Sequence, residues 1–277
     1  MYRLFSVGVV LLWMSAMAAL FARDVWPSLT AQDPPPMTRE QLAGFQDLDE
    51  QYSIRNGDGR RIGTAWNSVR STGAHLRLAG TIVIEGFGLI PPVRIETVTE
   101  FDAEGGLDSF ELNVHGVPMT KIKVHGERRG IYFPCELQVG PLNRQANLDL
   151  SASRMIGQSL RPFTFLPTLH VGQSWRMQIL DPLSAVLRRS TEFNAVVARV
   201  THKETIEVQG ADVECFVVET SPHQSRAWVD HTGRVLKQKA EMAGLGVVIM
   251  QLESYDERER ADARKRIKTY FPKRKER

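Results

Sequence analysis

The chain has 277 residues, of which 42% are hydrophobic and 24% are charged, as in an ordinary folded globular protein. Its formal net charge of +3 is too small to indicate a nucleic-acid binder, so we expect no nucleic-acid partner. It has only two cysteines, Cys135 and Cys215, which excludes a disulfide-rich scaffold and any cysteine-built zinc or iron–sulfur site.

The first informative segment is at the N-terminus. Leu4–Ala22 is a run of 19 residues without a charge. As a helix, such a run would reach about 28 Å, close to the roughly 30 Å hydrocarbon core of a bilayer. Arg3 precedes the run and Arg23 follows it. The segment therefore predicts a single-pass transmembrane anchor within residues 1–27.

A cleaved signal peptide is the competing interpretation of the same segment, because Ala16-Met17-Ala18 resembles a small-x-small cleavage site. The apolar run continues past that site to Ala22, which favours an uncleaved anchor. A buried core helix is the remaining alternative. With either an anchor or a signal peptide, the body of the chain is exported.

A spacer and a short helix follow. Residues 28–38 form a polar linker that contains Pro34-Pro35-Pro36, and a proline run favours an extended, semi-rigid conformation. Thr38 with Gln41 three residues later is typical of a helix N-terminus, so the pattern predicts a helix over Arg39–Glu50.

Alternation of apolar and polar residues dominates from Gln51 to about Glu253, inside a domain that we place at residues 39–255. This period of two predicts strands with one buried face, which favours antiparallel pairing. We count about ten to thirteen strands, too many for a flat open sheet. We therefore expect a mainly β fold: a large curved antiparallel sheet, or half-barrel, with one or two short helices. Ser151–Leu169 is a candidate helix.

Two turn sequences resemble each other. Asp102–Gly105 and Asp230–Gly233 each place an aspartate three residues before a glycine between two strand patterns. The similarity is explained either by an old duplication of a half-sheet or by two ordinary Asp-Gly hairpins.

Three phrases carry a resemblance to a known group of proteins: Leu169-His170-Val171-Gly172-Gln173-Ser174-Trp175, Ile206–Gly210 and Ala227–Lys237. They resemble uncharacterised bacterial envelope families that are related in fold to the LolA/LolB lipoprotein carriers. Similar modules precede transglutaminase-like domains. The resemblance spans about Gln51 to Glu253.

The resemblance implies a curved sheet around an apolar concavity and a lipid or lipidated ligand. With the anchor, it implies a bacterial inner-membrane protein whose domain lies on the periplasmic side. The sequence departs from these families in two ways. It lacks the lipobox cysteine of LolB, and Cys135 lies in a strand pattern without the helix N-terminus that would activate a transglutaminase thiol.

No pattern indicates catalysis or a metal. His115 and His125 could face each other across a hairpin, but two histidines without a third ligand make a poor metal site. Asp230 next to His231 is interpreted as a turn residue rather than part of a triad, since no Gly-x-Ser-x-Gly motif is present. We expect no enzyme, no metal and no cofactor.

Apolar residues in two glycine-containing connections are the candidate ligand-binding residues: Phe87, Leu89, Ile90 and Leu245. They could line the mouth of a cavity for an acyl chain, dip into a membrane surface, or pack in the core. Cys135 and Cys215 could form a disulfide in an oxidising compartment or remain two buried thiols.

The C-terminal segment, residues 256–277, is a basic tail with ten basic and five acidic residues. Such a tail attracts anionic lipid or an envelope polymer, although a solvated tail without a partner is the alternative. The residues that we assign to an anionic surface are Arg264, Lys265, Arg266, Lys268, Lys273, Arg274 and Lys275.

The sequence thus favours a membrane-anchored, extracytoplasmic binding module for a lipid, another hydrophobic ligand or an envelope protein. A structural or assembly protein with a filled core is the alternative, and an enzyme is the least favoured class.

Overall fold

The computed structural model describes most of the chain. The described ranges are 2–22, 47–71, 75–86, 91–102, 106–116, 121–130, 132–140, 142–148, 156–158, 166, 169–180, 193–221, 225–242 and 246–270.

The described residues form two helices and fifteen strands. The helices are α1 (Tyr2–Leu20) and α2 (Glu257–Tyr270). The strands are β1 (Leu48–Asn56), β2 (Arg61–Ser71), β3 (Leu76–Ile84), β4 (Val93–Phe101), β5 (Leu107–Gly116), β6 (Lys121–Glu127), β7 (Phe133–Val139), β8 (Leu142–Leu148), β9 (Ile156–Gln158), β10 (Ser174–Leu180), β11 (Phe193–Val208), β12 (Ala211–Ser221), β13 (Ser225–Val229), β14 (Val235–Met242) and β15 (Gly246–Glu253).

All described strands belong to one sheet in the order β8-β7-β6-β5-β4-β3-β2-β1-β15-β14-β13-β12-β11-β10-β9. Every neighbouring pair is antiparallel except β9 with β10. The first strand pairs with the last, with Gln51 opposite Glu253. The sheet is an up-and-down meander whose first and last strands, β1 and β15, pair in its middle. Among the described strands, it is open between β8 and β9.

The predicted large antiparallel sheet is confirmed, and two helix predictions need correction. Leu48–Glu50, the end of the helix expected over Arg39–Glu50, begins β1 instead. Within the candidate helix Ser151–Leu169, Ile156–Gln158 form β9. In both places a local helix pattern gives way to strand pairing. The remainder of Arg39–Glu50 and most of Ser151–Leu169 lie outside the described residues.

The strand register defines two faces, which we name after residues of β1. The Tyr52 face carries Tyr52 and Ile54, both buried, whereas the Gln51 face carries Gln51 and Ser53. On the Tyr52 face the register aligns a row of buried apolar side chains across six strands: Tyr52, Ala65, Ile82, Ile95, Val114 and Ile122. This row belongs to the largest hydrophobic cluster. Burial of this kind stabilises by about 25 cal/mol per Å² of apolar surface.

The β11–β12 hairpin changes which face it buries at a β-bulge. Val200 lies opposite Val218, but the register shifts and His202 lies opposite Val217. Both Val217 and Val218 are fully buried. The bulge therefore transfers burial from the Tyr52 face to the Gln51 face toward the tip of the hairpin.

The sheet is curved at this hairpin. The side-chain amide of Gln251 in β15 donates to the backbone oxygen of Glu207 in β11, although three strands separate β15 from β11. The tip of the hairpin must therefore bend over the Gln51 face of β13–β15. The expected curvature is confirmed.

Helix α1 contains most of the uncharged N-terminal run. Its described side chains are exposed, including large apolar ones such as Leu12 and Trp13. Within the part of the chain that the structure describes, no helix is long and apolar enough to cross a membrane. The anchor expected from Leu4–Ala22 stays a prediction.

Candidate functional site

The sheet has two ends, and each has its own connections. At the end that we call the loop end, β1 joins β2 through Asn56–Arg60, β3 joins β4, and β14 joins β15. The register aligns these strand ends, because Asn56 lies opposite Val248 and Gly63 lies opposite Ile84. The opposite end, which we call the braced end, holds the turns after Asp102 and Asp230.

The candidate ligand-binding residues Phe87, Leu89, Ile90 and Leu245 lie outside the described residues. The strands that their connections join are described. These strands end or begin at Ile84, Val93, Met242 and Gly246, all at the loop end. In the strand order the two connections flank the β1–β2 hairpin, one on either side. The sequence alone did not indicate that these two segments belong to the same end of one sheet.

The braced end is fixed by arginine–carboxylate pairs. Arg128 and Asp102 form an ion pair at 2.6 Å that joins two neighbouring turns. Arg70 pairs with Asp49 at 2.7 Å, where the chain enters β1. The hydrogen bond with Asp49 raises the pKa of Arg70, which is charged at neutral pH in any case. The pair of Arg70 with Asp49 holds the beginning of β1 to β2.

Asp230 is a turn residue, as the sequence indicated. Its Oδ1 accepts hydrogen bonds from the backbone N–H groups of Thr232 and Arg234, at 2.8 and 3.0 Å. Gly233 supplies the positive φ of 90° that the turn requires. Since these contacts satisfy Oδ1 locally, the structure offers no support for a catalytic role of Asp230.

The same hydrogen-bonding pattern, in which a side-chain oxygen accepts the backbone N–H four residues later, occurs at three hairpins. This recurrence bears on the suggested duplication. The side-chain oxygen of Asp102 accepts the N–H of Gly106, and that of Asn56 accepts the N–H of Arg60. In each of the three turns the backbone N–H of the first residue also donates to the carbonyl oxygen of the residue four positions later. A pattern that occurs at three hairpins is better explained by ordinary hairpin turns than by duplication of a half-sheet.

A polar row interrupts the apolar Tyr52 face near the braced end. The register places Glu50, Asn67, Gly80 and Thr97 side by side on β1–β4. Glu50 and Asn67 are each only 5% exposed. The Nδ2 group of Asn67 has no hydrogen-bond partner, which is costly for a buried donor. A Cβ at Gly80 would lie 2.8 Å from Thr97 Oγ1, so the row is tightly packed at this point.

Glu50 holds the most connected position in this row. Its Oε1 accepts a hydrogen bond from Arg234 Nε, and its Oε2 lies 2.8 Å from the hydroxyl of Tyr52. The same hydroxyl lies 2.9 Å from the backbone oxygen of Val235. Glu50 therefore joins the first strand to the turn before β14. The sequence contained a signal for this row that we missed. Glu50, Asn67 and Thr97 each lie two positions from an apolar residue of the Tyr52 face, and residues two positions apart in a strand share a face.

The two cysteines are buried and free. The structure therefore has the second of the two alternatives, a pair of thiols that behave as small apolar side chains, and no disulfide joins Cys135 to Cys215. Burial raises the pKa of both thiols to about 11. The carboxylates of Asp230, Glu204 and Glu214 add to this effect at Cys215. Both groups are neutral and poorly nucleophilic at physiological pH.

The histidine clamp does not form. His115 lies opposite Lys121, whereas His125 lies opposite Glu111. The two positions are therefore four residues apart along the strand direction, or about 13 Å. Among the described residues, no group of three or more histidine, cysteine or acidic side chains could hold a metal ion.

The first half of the predicted basic tail is a helix that docks on the sheet. Asp256 caps α2, since its Oδ1 accepts the N–H groups of Arg258 and Glu259 at 2.8 and 3.2 Å. Glu259 then accepts hydrogen bonds from Gln51 and Arg61 at 2.8 and 2.6 Å.

The next turn of α2 is held by apolar contact. Ala263 is 3% exposed and packs in a small cluster with Trp66 and Val83 on the Gln51 face. The backbone of Arg264, Lys265, Arg266 and Lys268 continues this helix, whereas Lys273, Arg274 and Lys275 lie outside the described residues.

Comparison with known proteins gives no family. No protein-family model and no curated protein sequence matches the chain. Among solved structures, the chain is similar to a beta-barrel-like protein of the domain of unknown function DUF1849 from Brucella abortus. That similarity has 10% identity and a TM-score of 0.48, over 76% of this chain and 98% of that chain.

Two further structures are similar. One is a DUF1089 family protein from Pseudomonas aeruginosa, with 15% identity, a TM-score of 0.38 and coverage of 65% and 90% of the two chains. The other is the hypothetical lipoprotein YmcC from Escherichia coli, with 14% identity, a TM-score of 0.30 and coverage of 87% of this chain and 95% of that chain. These scores are too low to carry an argument. None of the three descriptions mentions a transglutaminase, so that link has no support.

Proposed function

We propose that the protein is a membrane-tethered β-sheet module of the bacterial cell envelope that binds an apolar ligand, a lipid or a lipidated partner, at its loop end. The observation that carries this proposal is the convergence of strand ends at the loop end. The connections that contain Phe87, Leu89, Ile90 and Leu245 begin and end there. With strands about 4.8 Å apart, the midpoint between β3 and β4 lies about 20 Å along the sheet from the midpoint between β14 and β15.

The tether in this proposal is the uncharged run Leu4–Ala22, with the sheet on the periplasmic side. What supports it is the length of the run and its lack of charge. The linker from Arg23 to Asp47 has 25 residues. Extended, such a linker would span up to about 85 Å, whereas a nine-residue strand is about 30 Å long. Either end of the sheet can therefore face the membrane.

A second candidate function is a structural or assembly protein with a filled core. One observation favours it: the aligned apolar row of the Tyr52 face, from Tyr52 across to Ile122, is almost completely buried, so these described side chains already cover one another. In this alternative the loop end packs without a ligand. We propose no catalytic role in either case.

The test is native extraction of the full chain followed by mass spectrometry of the lipids that remain bound. Replacing a buried leucine by a charged residue removes about 1.5–3 kcal/mol of apolar burial, and each 1.4 kcal/mol is tenfold in affinity. We therefore expect the double variant Leu89→Asp and Leu245→Asp to retain about tenfold less of one lipid class than the wild type.

The matched control is Tyr132→Asp. Tyr132 is an exposed large side chain at the braced end, so it removes apolar surface away from the loop end. This variant should keep the wild-type lipid content, including lipid that adheres to the anchor. Equal lipid content in all three proteins would favour the filled-core alternative, and equal loss in both variants would reject the loop end as the site.

A further inference from the structure

The helix α2 covers part of the Gln51 face with few contacts. Of the α2 side chains that the structure describes, only Ala263 is buried. It packs with Trp66 and Val83. Glu259 and Arg260 are half-buried, and the other described side chains of this helix are exposed. The described part of α2 is therefore held by one small apolar side chain and by polar contacts.

The main polar contacts of α2 involve groups of the sheet that also have partners within the sheet. Glu259 accepts hydrogen bonds from Gln51 Nε2 at 2.8 Å and from Arg61 Nη2 at 2.6 Å. The same two donors also bind Glu253 of β15, at 2.9 and 2.8 Å. The hydroxyl of Thr64 donates to Glu259 and also accepts a hydrogen bond from Arg61. The sheet therefore keeps its own hydrogen bonds at this point without the helix.

Two further polar contacts follow the same pattern. Gln51 Oε1 accepts the backbone N–H of the residue that caps α2, at 3.2 Å, and also the indole N–H of Trp66, at 2.9 Å. Asp49 lies 3.9 Å from Arg260 but is paired with Arg70 at 2.7 Å. Undocking of α2 would leave none of these sheet side chains without a partner. Since a buried polar group without a partner is the costly result of breaking such contacts, undocking is cheap for the sheet.

We propose that α2 is a releasable latch, which leaves the Gln51 face while the sheet stays folded and thereby exposes Trp66 and Val83. The latch closes through Arg61, which holds a carboxylate of the helix, Glu259, beside a carboxylate of the sheet, Glu253. Because the side chains of Arg61 and Glu259 are 37% and 27% exposed, salt screens their attraction and favours release. Release of the latch does not require a ligand at the loop end.

A thiol introduced at position 263 reports release, because Ala263 is buried while α2 is docked. The full chain with Ala263→Cys is treated with iodoacetamide, and alkylation of each cysteine is followed by peptide mass spectrometry. Cys135 and Cys215 are buried in strands and report opening of the sheet in the same molecules. With each rate divided by its rate in urea, we expect the thiol at position 263 to react at least about tenfold faster than either.

The variant Arg61→Glu tests the closing contact, since it places three carboxylates at one point. We expect alkylation at position 263 to become about tenfold faster, because hydrogen bonds between charged groups are lost. The double variant Arg61→Glu with Glu259→Arg exchanges the two charges and should restore the slow rate. Ala261→Cys is the matched control position. Because Ala261 is exposed on the same helix, the thiol introduced there should react fast in every variant.

Hydrogen exchange gives a second measure on the chain without substitutions. The amides of Arg260–Ala263 should exchange at least about tenfold faster than the central amides of β1 and β2, and added salt should accelerate only the helix. The proposal is overturned if the thiol at position 263 reacts no faster than Cys135, or if the strands exchange together with α2, since the helix then opens only with the sheet. It is also overturned if Arg61→Glu leaves the rate unchanged or if the exchanged charges fail to restore it.

Discussion

Single residues join parts of this chain that are far apart in sequence. Glu50 and Arg234 are 184 positions apart, yet their ion pair closes the braced end beside the pairing of β1 with β15. Glu50 is buried, so replacing it by an apolar residue would leave Arg234 without the partner that compensates its charge. Asn67 is the opposite case, since its buried Nδ2 has no partner. On the Tyr52 face, the buried carboxylate of Glu50 therefore forms a contact between distant segments, whereas the buried amide nitrogen of Asn67 on the neighbouring strand forms none.

Because two thiols are buried, we expect the free energy of unfolding to decrease as the pH rises into the alkaline range. Their folded pKa of about 11 lies above the ordinary value of 9.0 because of burial. In the unfolded chain the thiols ionise at lower pH, so their contribution to stability is complete below pH 9 and is lost as the pH rises toward 11. We expect the free energy of unfolding to fall more steeply between pH 9 and pH 10.5 in the wild type than in the Cys135→Ala, Cys215→Ala variant.

Urea unfolding at each pH measures this difference, and alkylation by iodoacetamide at pH 8 checks its cause. Both thiols should react slowly in the folded protein and fast in urea. Parallel pH profiles for the wild type and the variant, or rapid alkylation of the folded protein, would contradict the assignment.

At the scale of elements, β11 and α2 show how tertiary contacts select among local patterns. The alternation of Val196, Ala198 and Val200 predicts a strand correctly, but it does not reveal the bulge that reverses the buried face a few residues later. The basic composition of residues 256–277 does not reveal that α2 packs on the Gln51 face of the sheet. Both outcomes depend on partners that are distant in sequence.

The cap of α2 is a testable element. Asp256→Ala removes the acceptor of two N–H groups at the start of the helix, which costs about 1 kcal/mol. We expect the amides of Glu257–Ala263 to exchange hydrogen about fivefold faster than in the wild type, by the usual relation of free energy to populations. Asp256→Asn is the matched control, because asparagine caps helices about as well as aspartate.

Exchange in β1–β3 should be unchanged in the Asp256→Ala variant. If the loss of the cap leaves exchange of α2 unaffected, the helix is held by its contacts with Gln51, Arg61 and Trp66 alone. If it accelerates exchange of the strands as well, α2 is part of the cooperative core.

At the scale of the whole molecule, the sequence predicted the class of the fold, whereas the pairing of the first strand with the last became visible only in the structure. Alternation is a local property, so rows such as Ile122 and Val124 were recognised as strands of one antiparallel sheet. The pairing of Gln51 with Glu253 joins residues 202 positions apart, and no local pattern encodes it. For the same reason the sequence did not place the β3–β4 and β14–β15 connections at one end. The polar row was missed because Glu50 was assigned to a helix.

The pairing of β1 with β15 predicts a specific response to truncation. Deleting residues 246–277 removes β15, which pairs with both β1 and β14 and buries Val248, Met250 and Leu252. Because this strand holds the two halves of the meander together, we expect the shortened chain to lose its cooperative thermal transition and its near-ultraviolet circular dichroism. Deleting only residues 264–277 keeps β15 and the docked turn of α2, and the stability should then change by no more than about 1 kcal/mol. A cooperative transition at the wild-type temperature in the chain that lacks residues 246–277 would show that each half of the sheet folds on its own. The pairing of β1 with β15 would then be a consequence of folding rather than its condition.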